Sequence, residues 1–337
     1  MDRKEFAEIL NSIKISEKCD LTTIQQETLP IYKALSQIMP ESLYRYRTCS
    51  DTNINAFEND KVYAVTSDMF NDPYDTLLKY DKNIVKKIFN SIFTKDVVIR
   101  MKEELVQNLD FPEPIKQYFK QDSIKKTIEN FLSLKDEDID SFITKRKNTL
   151  EYSIDLLFPF YAKINKRYFT ISCFTETISS VIMWSHYANK HKGFALEYNM
   201  KPILSNRIPN INIYPVIYDN KRFDGTEYTM WEFLKFAGAN FPNQDLISHI
   251  KCALYKSKQW EYEKEWRLID TTTRNNIMLD NTTSILLKPI AIYYGKNISL
   301  EDRTRLHHIA SEKGIDEYDM YIDYESDKYE MLYRRYS

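Results

Sequence analysis

The sequence predicts an α+β fold in which a split, mixed β-sheet is flanked by helices and carries a long charged helical insertion. Three observations predict this class. Strand-like segments fall into two groups, one on each side of residues 83–165, a stretch with a helical and highly charged pattern. The helices between the strands are irregular in length, unlike those of a regular parallel α/β sheet. The hydrophobic fraction of 43% is ordinary, so we expect a packed core.

The first 82 residues predict N-terminal helices followed by the first strands. Apolar residues recur at helical spacing over 3–38, which predicts two helices. Residues 43–47 are typical of a short strand, 51–57 of a helix that begins at an Asp, and 61–66 of a second strand. The Asn-Asp-Pro core of residues 70–75 then predicts a turn.

The remaining sequence predicts a helical insertion and then the rest of the core. We expect one composite domain divided into 1–82, the insertion at 83–166, and the remaining core at 167–337. The insertion is interpreted as a structural cap, with a lid or partner-binding module as the alternative. Pro215 predicts that the strand it interrupts lies at a sheet edge. Strands are predicted at 168–174, 194–198, 211–218, 263–270, 276–279, 285–294, 318–322 and 328–335, and helices at 180–189, 300–313 and, as a pair, 230–258.

Composition excludes several classes of protein. Only 5 glycines are present, so a glycine-rich phosphate loop is not expected, and a nucleotide here would be held by side chains and strands. The net charge of −2 does not by itself favour nucleic acid or an anionic membrane as partner. The 4 cysteines lie far apart, which argues against a zinc site or a disulfide framework and favours a reducing compartment. With no signal-peptide pattern and no apolar run of membrane-spanning length, we expect a cytoplasmic protein without a membrane partner.

The most informative segment is 260–267, Trp-Glu-Tyr-Glu-Lys-Glu-Trp-Arg. As a strand it would place Glu261, Glu263, Glu265 and Arg267 on one face. Three carboxylates at that pitch repel one another, and such rows occur where shifted carboxylate pKa values serve catalysis or cation binding. The alternative is a solvated strand edge backed by aromatic side chains.

Three further segments carry polar or aromatic groups beside strand ends or turns. Arg45 and Arg47 share a strand face and can fork onto phosphate or carboxylate, or pair with acids across the sheet. Asn71 and Asp72 are typical turn-capping residues. The third segment, Ser172 to Glu176, precedes a helix in which Trp184, Tyr187 and His191 would lie near one face if the helix is long enough.

Together these four segments resemble one bacterial family, catalogued as domain of unknown function 2971. The similar residues are Leu43-Tyr44-Arg45-Tyr46-Arg47, Phe70-Asn71-Asp72-Pro73-Tyr74-Asp75, Ser172-Cys173-Phe174-Thr175-Glu176 with Trp184, Tyr187, Gly193 and Glu197, and Glu263-Lys264-Glu265-Trp266-Arg267. Their order and spacing fit over most of the chain except the insertion.

A more distant resemblance is to ADP-ribosyltransferases, which carry an Arg or His on a first strand, a Ser, Thr or Tyr on a middle strand, and a Glu on a late strand. This resemblance implies NAD as substrate and an unknown protein or nucleic-acid acceptor. By analogy with other large bacterial proteins of uncharacterised families, we expect an effector that is a toxin or an anti-phage defence protein. The resemblance implies Glu265 as the catalytic carboxylate and Glu263 as the residue that orients the acceptor. It implies Arg45 and Thr175 (or Ser172) as NAD-binding residues. We further expect Tyr46, Trp184 and Tyr187 to line the NAD pocket, with Arg47, Asn71, Asp72 and Arg267 as supports.

Two alternatives from other classes stay open. Asp219 and Lys221 have the Asp-x-Lys form of restriction-type nucleases, and Glu197 is the candidate second acid for Mg²⁺. The second alternative is a non-enzymatic module that binds protein or nucleic acid. The oligomeric state is left open by the sequence.

Overall fold

The computed structural model describes residues 1–16, 18–107, 122–149, 152, 154, 155, 158, 159, 162, 165–202, 211–236, 245–270 and 282–336. Over these residues the α+β class with a mixed sheet and flanking helices is confirmed. The helices are Arg3–Ser12, Leu21–Ile38, Asp51–Glu58, Lys82–Ile92, Lys95–Gln107, Asp122–Leu132, Ile139–Asn148, Val181–Tyr187, Thr226–Phe236, Ser248–Leu254 and Leu300–Lys313.

The strands form a 10-stranded sheet and a separate two-stranded sheet. They are β1 (Leu43–Arg47), β2 (Lys61–Thr66), β3 (Thr170–Thr175), β4 (Phe194–Tyr198), β5 (Ile211–Pro215), β6 (Ile217–Asp219), β7 (Tyr255–Ser257), β8 (Glu265–Asp270), β9 (Thr282–Leu286), β10 (Ala291–Tyr294), β11 (Asp316–Tyr321) and β12 (Leu332–Arg335). The large sheet runs β12-β11-β10-β4-β1-β3-β2-β9, and β8 pairs with both β3 and β5. It is mixed because β10 and β11 are parallel whereas the other pairs are antiparallel.

Helix starts follow local capping chemistry. The Asp2 carboxylate accepts hydrogen bonds from two backbone amides of the first helix. The Glu5 carboxylate accepts one from the Asp2 backbone amide, which completes a capping box. Ser50 and Ser299 each cap a later helix by accepting a hydrogen bond from one backbone amide, and the helix Leu300–Lys313 ends at Gly314, whose φ of 62° suits glycine. These helix ends are therefore determined by residues that are adjacent to them in the sequence.

The insertion has an apolar core of its own. Val85, Val98 and Ile139 are buried together with Phe158, and Met230 from outside the insertion packs into the same cluster. The helices described within residues 83–166 agree with the predicted helical pattern.

The structure corrects the interpretation of residues 260–267 as a strand, and it shortens the strand predicted at 263–270. Residues Lys258–Glu263 form a 3₁₀ helix, Lys264 takes a left-handed conformation with φ of 44°, and the strand begins only at Glu265. The alternation of acidic and aromatic residues therefore did not reflect strand geometry, and Glu261 is exposed instead of sharing the acidic face.

Several other boundaries differ from the predictions, and residues 255–257, predicted as part of a helix, form the strand β7. Residues 211–218 are divided at Pro215 into β5 and β6, which lie in different sheets, and β5 pairs with β8 alone among the described strands, as expected of an edge. Residues 285–294 are two strands, because Pro289 lacks the N–H that a continuous ladder needs. The helix Val181–Tyr187 ends early, and His191 lies in a left-handed loop away from its face. The predicted strand at 276–279 lies outside the described residues.

Candidate functional site

The site lies where the large sheet splits. Both β1 and β2 follow the same edge of β3, but each pairs with only one end of it. β1 pairs at Thr175, opposite Tyr44, and β2 pairs at Ile171 and Thr170. The β3 edge between these ends has no strand partner, and a pocket of about 360 Å³ occupies the gap. This volume is within the usual range of small-molecule sites.

Strand pairing brings the predicted segments together. Thr175 lies directly opposite Tyr44 of β1 on one side and Glu265 of β8 on the other. Directly paired residues project to the same face of a sheet, so these three side chains share a face. Because neighbouring strands are about 4.8 Å apart, the β1 and β8 backbones are about 10 Å apart here.

Arg45 projects to the opposite face and reaches across the gap. Its guanidinium donates a 2.5 Å hydrogen bond to the carbonyl of Tyr63 in β2 and lies 5.6 Å from the Phe174 ring centroid. Ser172 donates to the same Tyr63 carbonyl at 3.0 Å. The two side chains therefore replace part of the missing strand pairing. Arg45 Nε is buried without a hydrogen-bond partner, and burial lowers the pKa of this guanidinium.

Arg47 adds a second positive charge to the same wall. Its Nη1 donates to the adjacent Tyr46 carbonyl at 2.9 Å. In the part of the chain that the structure describes, neither Arg47 nor Arg45 forms an ion pair with a carboxylate. Two uncompensated guanidinium groups thus line one wall of the pocket, an arrangement that attracts an anion.

The other end of the pocket is a buried acidic cluster. Lys256 Nζ lies 2.5 Å from Glu263 Oε2, 2.8 Å from Glu265 Oε2 and 3.8 Å from Asp75 Oδ2. Arg267 contacts Asp75 at 2.6 Å and Glu265 at 2.8 Å. All five side chains are at least 92% buried, since the most exposed, Lys256, has 8% exposure. With every group ionised, three carboxylates and two cations leave one net negative charge.

The pKa values of Glu263 and Glu265 are shifted in opposite directions. Burial raises the pKa of Glu263, and the neighbouring charge of Glu265 raises it further, against the opposing effect of Lys256. Burial alone would raise the pKa of Glu265, but the charges of Arg267 and Lys256 outweigh burial and lower it. Two carboxylates whose pKa values differ in this way provide one permanent anion and one group suited to proton transfer.

Glu263 is held by groups from three elements. Tyr187 donates a 2.5 Å hydrogen bond to Glu263 Oε1, and Thr175 Oγ1 donates a 2.6 Å bond to the Glu263 carbonyl. Asn71 lies beside the Tyr187 hydroxyl. Burial raises the pKa of Tyr187, and the Glu263 charge adds to this effect, so Tyr187 serves as a donor.

The structure separates the predicted site residues into two groups. Those that line the pocket are Arg45, Tyr46, Arg47, Asn71, Thr175, Tyr187, Glu263 and Glu265. Ser172, Asp72, Trp184 and Arg267 do not line it. Trp184 is fully buried and donates to the Ile178 carbonyl, and Asp72 caps its turn by accepting from the Tyr74 amide. Arg267 instead supports the pocket from behind through its bonds to Glu265 and Asp75.

Tyr46 is less available to stack a ligand than expected. It is 3% exposed, donates to the Thr177 carbonyl, and packs edge-on against Trp184 at 5.0 Å between ring centroids. The pocket's accessible aromatic groups are instead Tyr44, Phe70 and Tyr187.

Of the three nuclease candidates, Asp219 and Lys221 lie together, but Glu197 lies in a different sheet. Glu197 lies in the large sheet and accepts a hydrogen bond from Tyr293, whereas Asp219 lies in the two-stranded sheet and caps the turn at Lys221. No group of three or more His, Cys, Asp or Glu side chains within the described ranges could hold a metal ion.

Sequence reasoning missed two members of the site, Asp75 and Lys256. Asp75 belongs to the turn motif, so its presence in that motif was an available signal. Lys256 lies in a short strand within a lysine-rich stretch, and no pattern distinguishes it from its exposed neighbours. Its position is decided by the pairing of β7 with β6.

Comparison with protein-family models finds a match within the C-terminal half of the chain. Residues 183–268 match the model of the family described as Protein of unknown function (DUF2971), which confirms the family resemblance over this segment. The match spans Tyr187, Glu263 and Glu265. No curated protein and no solved structure matches the chain. No helix in the described ranges is long and apolar enough to cross a membrane.

Proposed function

We propose that the split pocket binds NAD and transfers its ADP-ribosyl group to an acceptor. The observation that carries this proposal is the polarity of the pocket, with Arg45 and Arg47 at one wall and Glu263 and Glu265 beyond β3. NAD has a matching polarity, because its pyrophosphate is anionic and its ribose becomes positively charged as nicotinamide leaves. Side chains and strand edges supply all of these groups, as a chain with 5 glycines requires.

The reaction breaks the bond between ribose C1′ and the nicotinamide nitrogen, and nicotinamide leaves with the electron pair. A lone pair of the acceptor forms the new bond to C1′, and the acceptor's proton passes to Glu263. The raised pKa of Glu263 suits it to hold that proton. The acidic cluster contributes its net negative charge beside the developing oxocarbenium ion. Glu265 itself stays ionised after Glu263 has taken up the proton, because its pKa is lowered by Arg267 and Lys256 against the effect of burial.

Two buried polar atoms of the pocket support a bound ligand. Arg45 Nε is a donor without a partner, and Asp75 Oδ1 is an acceptor without one. Leaving such atoms unpaired is costly, so a ligand that pairs both gains affinity. A phosphate oxygen of the ligand can accept a hydrogen bond from Arg45 Nε, and a ligand hydroxyl or amide N–H can donate one to Asp75 Oδ1.

The proposal extends to an effector role, either as a toxin or in anti-phage defence, because an enzyme that consumes NAD depletes a cofactor on which a cell depends. It leaves the acceptor to be identified.

The test is nicotinamide release from NAD by the purified chain, with and without EDTA and with cell lysate as a source of acceptor. We expect EDTA-resistant release that falls about 10²- to 10⁴-fold in Glu263→Gln, the range for loss of a general base. Glu261→Gln is the matched control, since Glu261 is exposed in the same 3₁₀ helix. No release from the wild type, or equal release from Glu263→Gln, would reject the proposal.

A further inference from the structure

A second pocket lies against the split pocket, and Lys256 lines both. Its volume is about 300 Å³, at the lower end of the range for small-molecule sites. The turn after β2 divides the two. Asn71 and Asp75 line the split pocket, whereas Asp72 and Tyr74 line the second. The second pocket therefore adjoins the first at its carboxylate end.

Flat aromatic and guanidinium groups are available in the second pocket. The Tyr74 side chain is 64% exposed, and the Arg222 guanidinium lies 5.6 Å from its ring centroid. Trp260 is partly exposed, with Lys256 Nζ at 4.9 Å from its ring. Aromatic rings and Arg planes of this kind stack nucleobases in single-stranded nucleic acids.

Charge in this pocket favours a phosphate-bearing ligand. Lys221 and Arg222 are exposed, and neither forms an ion pair with the residues that the structure covers. Asp219, Asn220 and Gln259 also line the pocket, and their carboxylate and amide groups can pair with the edge of a base. Asp72 and Asp219 place two carboxylates in the same pocket, so a phosphate contact depends on Lys221 and Arg222, the exposed lining cations without an ion pair in the described part of the chain.

We infer that the second pocket binds one nucleotide of a single-stranded nucleic acid, and that this strand is the acceptor. The acceptor role rests on the proposed function, but the binding itself does not. Position supports the assignment, because an acceptor must approach the ribose from the side of Glu263, and Lys256 joins that residue to the second pocket. The bond-forming step is the one given above, with a base nitrogen or a nucleic-acid hydroxyl as the nucleophile.

The direct test is fluorescence anisotropy of a labelled 12-nucleotide single strand, as RNA and as DNA, titrated with the full chain in the absence of NAD. We expect saturable binding tighter than about 100 µM at about 0.15 M salt, the weak limit of non-specific nucleic-acid binding. Tyr74→Ala should weaken it about 5- to 150-fold, the range for loss of one stacking partner. Tyr329→Ala is the matched control, because Tyr329 is fully exposed and lies outside both pockets.

Salt dependence gives an independent measurement. Two phosphate contacts predict a slope of about −1.4 for log K against log salt concentration, and Arg222→Ala should reduce its magnitude by about 0.7. Arg222→Lys should keep the slope but lose affinity, because it retains the charge without the planar stacking group. All these residues are exposed, so the variants are expected to fold, and their unfolding temperatures check this.

The two proposals fail separately. Oligonucleotide binding by Glu263→Gln at wild-type affinity, together with no nicotinamide release from the wild type, would reject the transferase and keep the nucleotide site. Nicotinamide release without oligonucleotide binding, or binding that Tyr74→Ala and Arg222→Ala leave unchanged, would overturn the nucleotide site. ADP-ribose found on lysate protein and not on the oligonucleotide would overturn the acceptor assignment.

Discussion

Lys256 donates a 2.5 Å hydrogen bond to Glu263 from a separate element of the fold, β7, and so holds the carboxylate against Glu265. The same residue lines both the split pocket and the second pocket. Burial alone would lower the pKa of Lys256, but the surrounding carboxylates of Glu265, Asp75 and Glu263 outweigh burial and raise it. Lys256 therefore stays charged, which leaves Glu263 as the group of the proposed mechanism that accepts the acceptor's proton.

The first prediction concerns pH. Burial raises the pKa of Glu263 above its ordinary value of 4.5, and a general base must be deprotonated to act. We expect kcat/KM for nicotinamide release to increase with pH through an apparent pKa above 4.5. Tyr187→Phe should shift this increase in kcat/KM to still higher pH, because the Tyr187 hydroxyl stabilises the ionised form of Glu263. If the apparent pKa of Tyr187→Phe stays at the wild-type value, as it should in the control Tyr329→Phe, the assignment of Glu263 as the base is contradicted.

The second prediction concerns Arg47. It has no carboxylate partner within the described residues, so its removal should change the free energy of unfolding by less than about 0.5 kcal/mol. The KM for NAD should rise about 10- to 100-fold, equivalent to one charged hydrogen bond. Steady-state kinetics and urea unfolding of Arg47→Ala measure both quantities. Arg334→Ala is the control, since Arg334 is exposed on β12. A destabilised variant with unchanged KM would show that Arg47 is structural.

The third prediction concerns Arg267, which is fully buried between Asp75 and Glu265. Arg267→Met should lower the free energy of unfolding by about 3–5 kcal/mol, because two buried carboxylates lose their shared cation. Arg335→Ala, which breaks an exposed pair with Asp316, should cost less than about 1 kcal/mol. Urea unfolding of both variants makes the comparison. Similar losses in the two would mean that the acidic cluster is not stabilised by Arg267.

The fourth prediction concerns Gly193, at the start of β4. A Cβ at this position would lie 2.0 Å from the Arg47 carbonyl oxygen, so the backbone of β1 or β4 must move. We expect Gly193→Ala to cost about 1–3 kcal/mol of stability and to raise the KM for NAD, because the guanidinium wall shifts. Gly314→Ala strains a left-handed residue but meets no neighbour within 4 Å, so its KM should stay at the wild-type value. Equal KM values for the two variants would contradict this account.

Much of the fold could be predicted from local sequence signals. The helix Leu300–Lys313, between Ser299 and Gly314, matched its prediction because both capping residues are local. β1 and β2 also matched. The strand predicted at 263–270 begins only at Glu265, and the interpretation of 260–267 as a strand was wrong. Lys264 is left-handed, and its carbonyl accepts a hydrogen bond from the Glu176 amide, a contact from outside the segment.

The sequence by itself determined most of the helices and strands and which segments line the candidate site, since caps, turn residues and hydrophobic period act over a few residues. Only the tertiary structure decided how those groups meet. Strand register placed Thr175 between Tyr44 and Glu265 and turned Arg45 to the opposite face. The incomplete pairing of β1 and β2 with β3 opened the pocket, and the packing of β7 brought Lys256 to Glu263. These relationships join residues far apart in the chain, and non-local pairing leaves no periodic signal in the sequence.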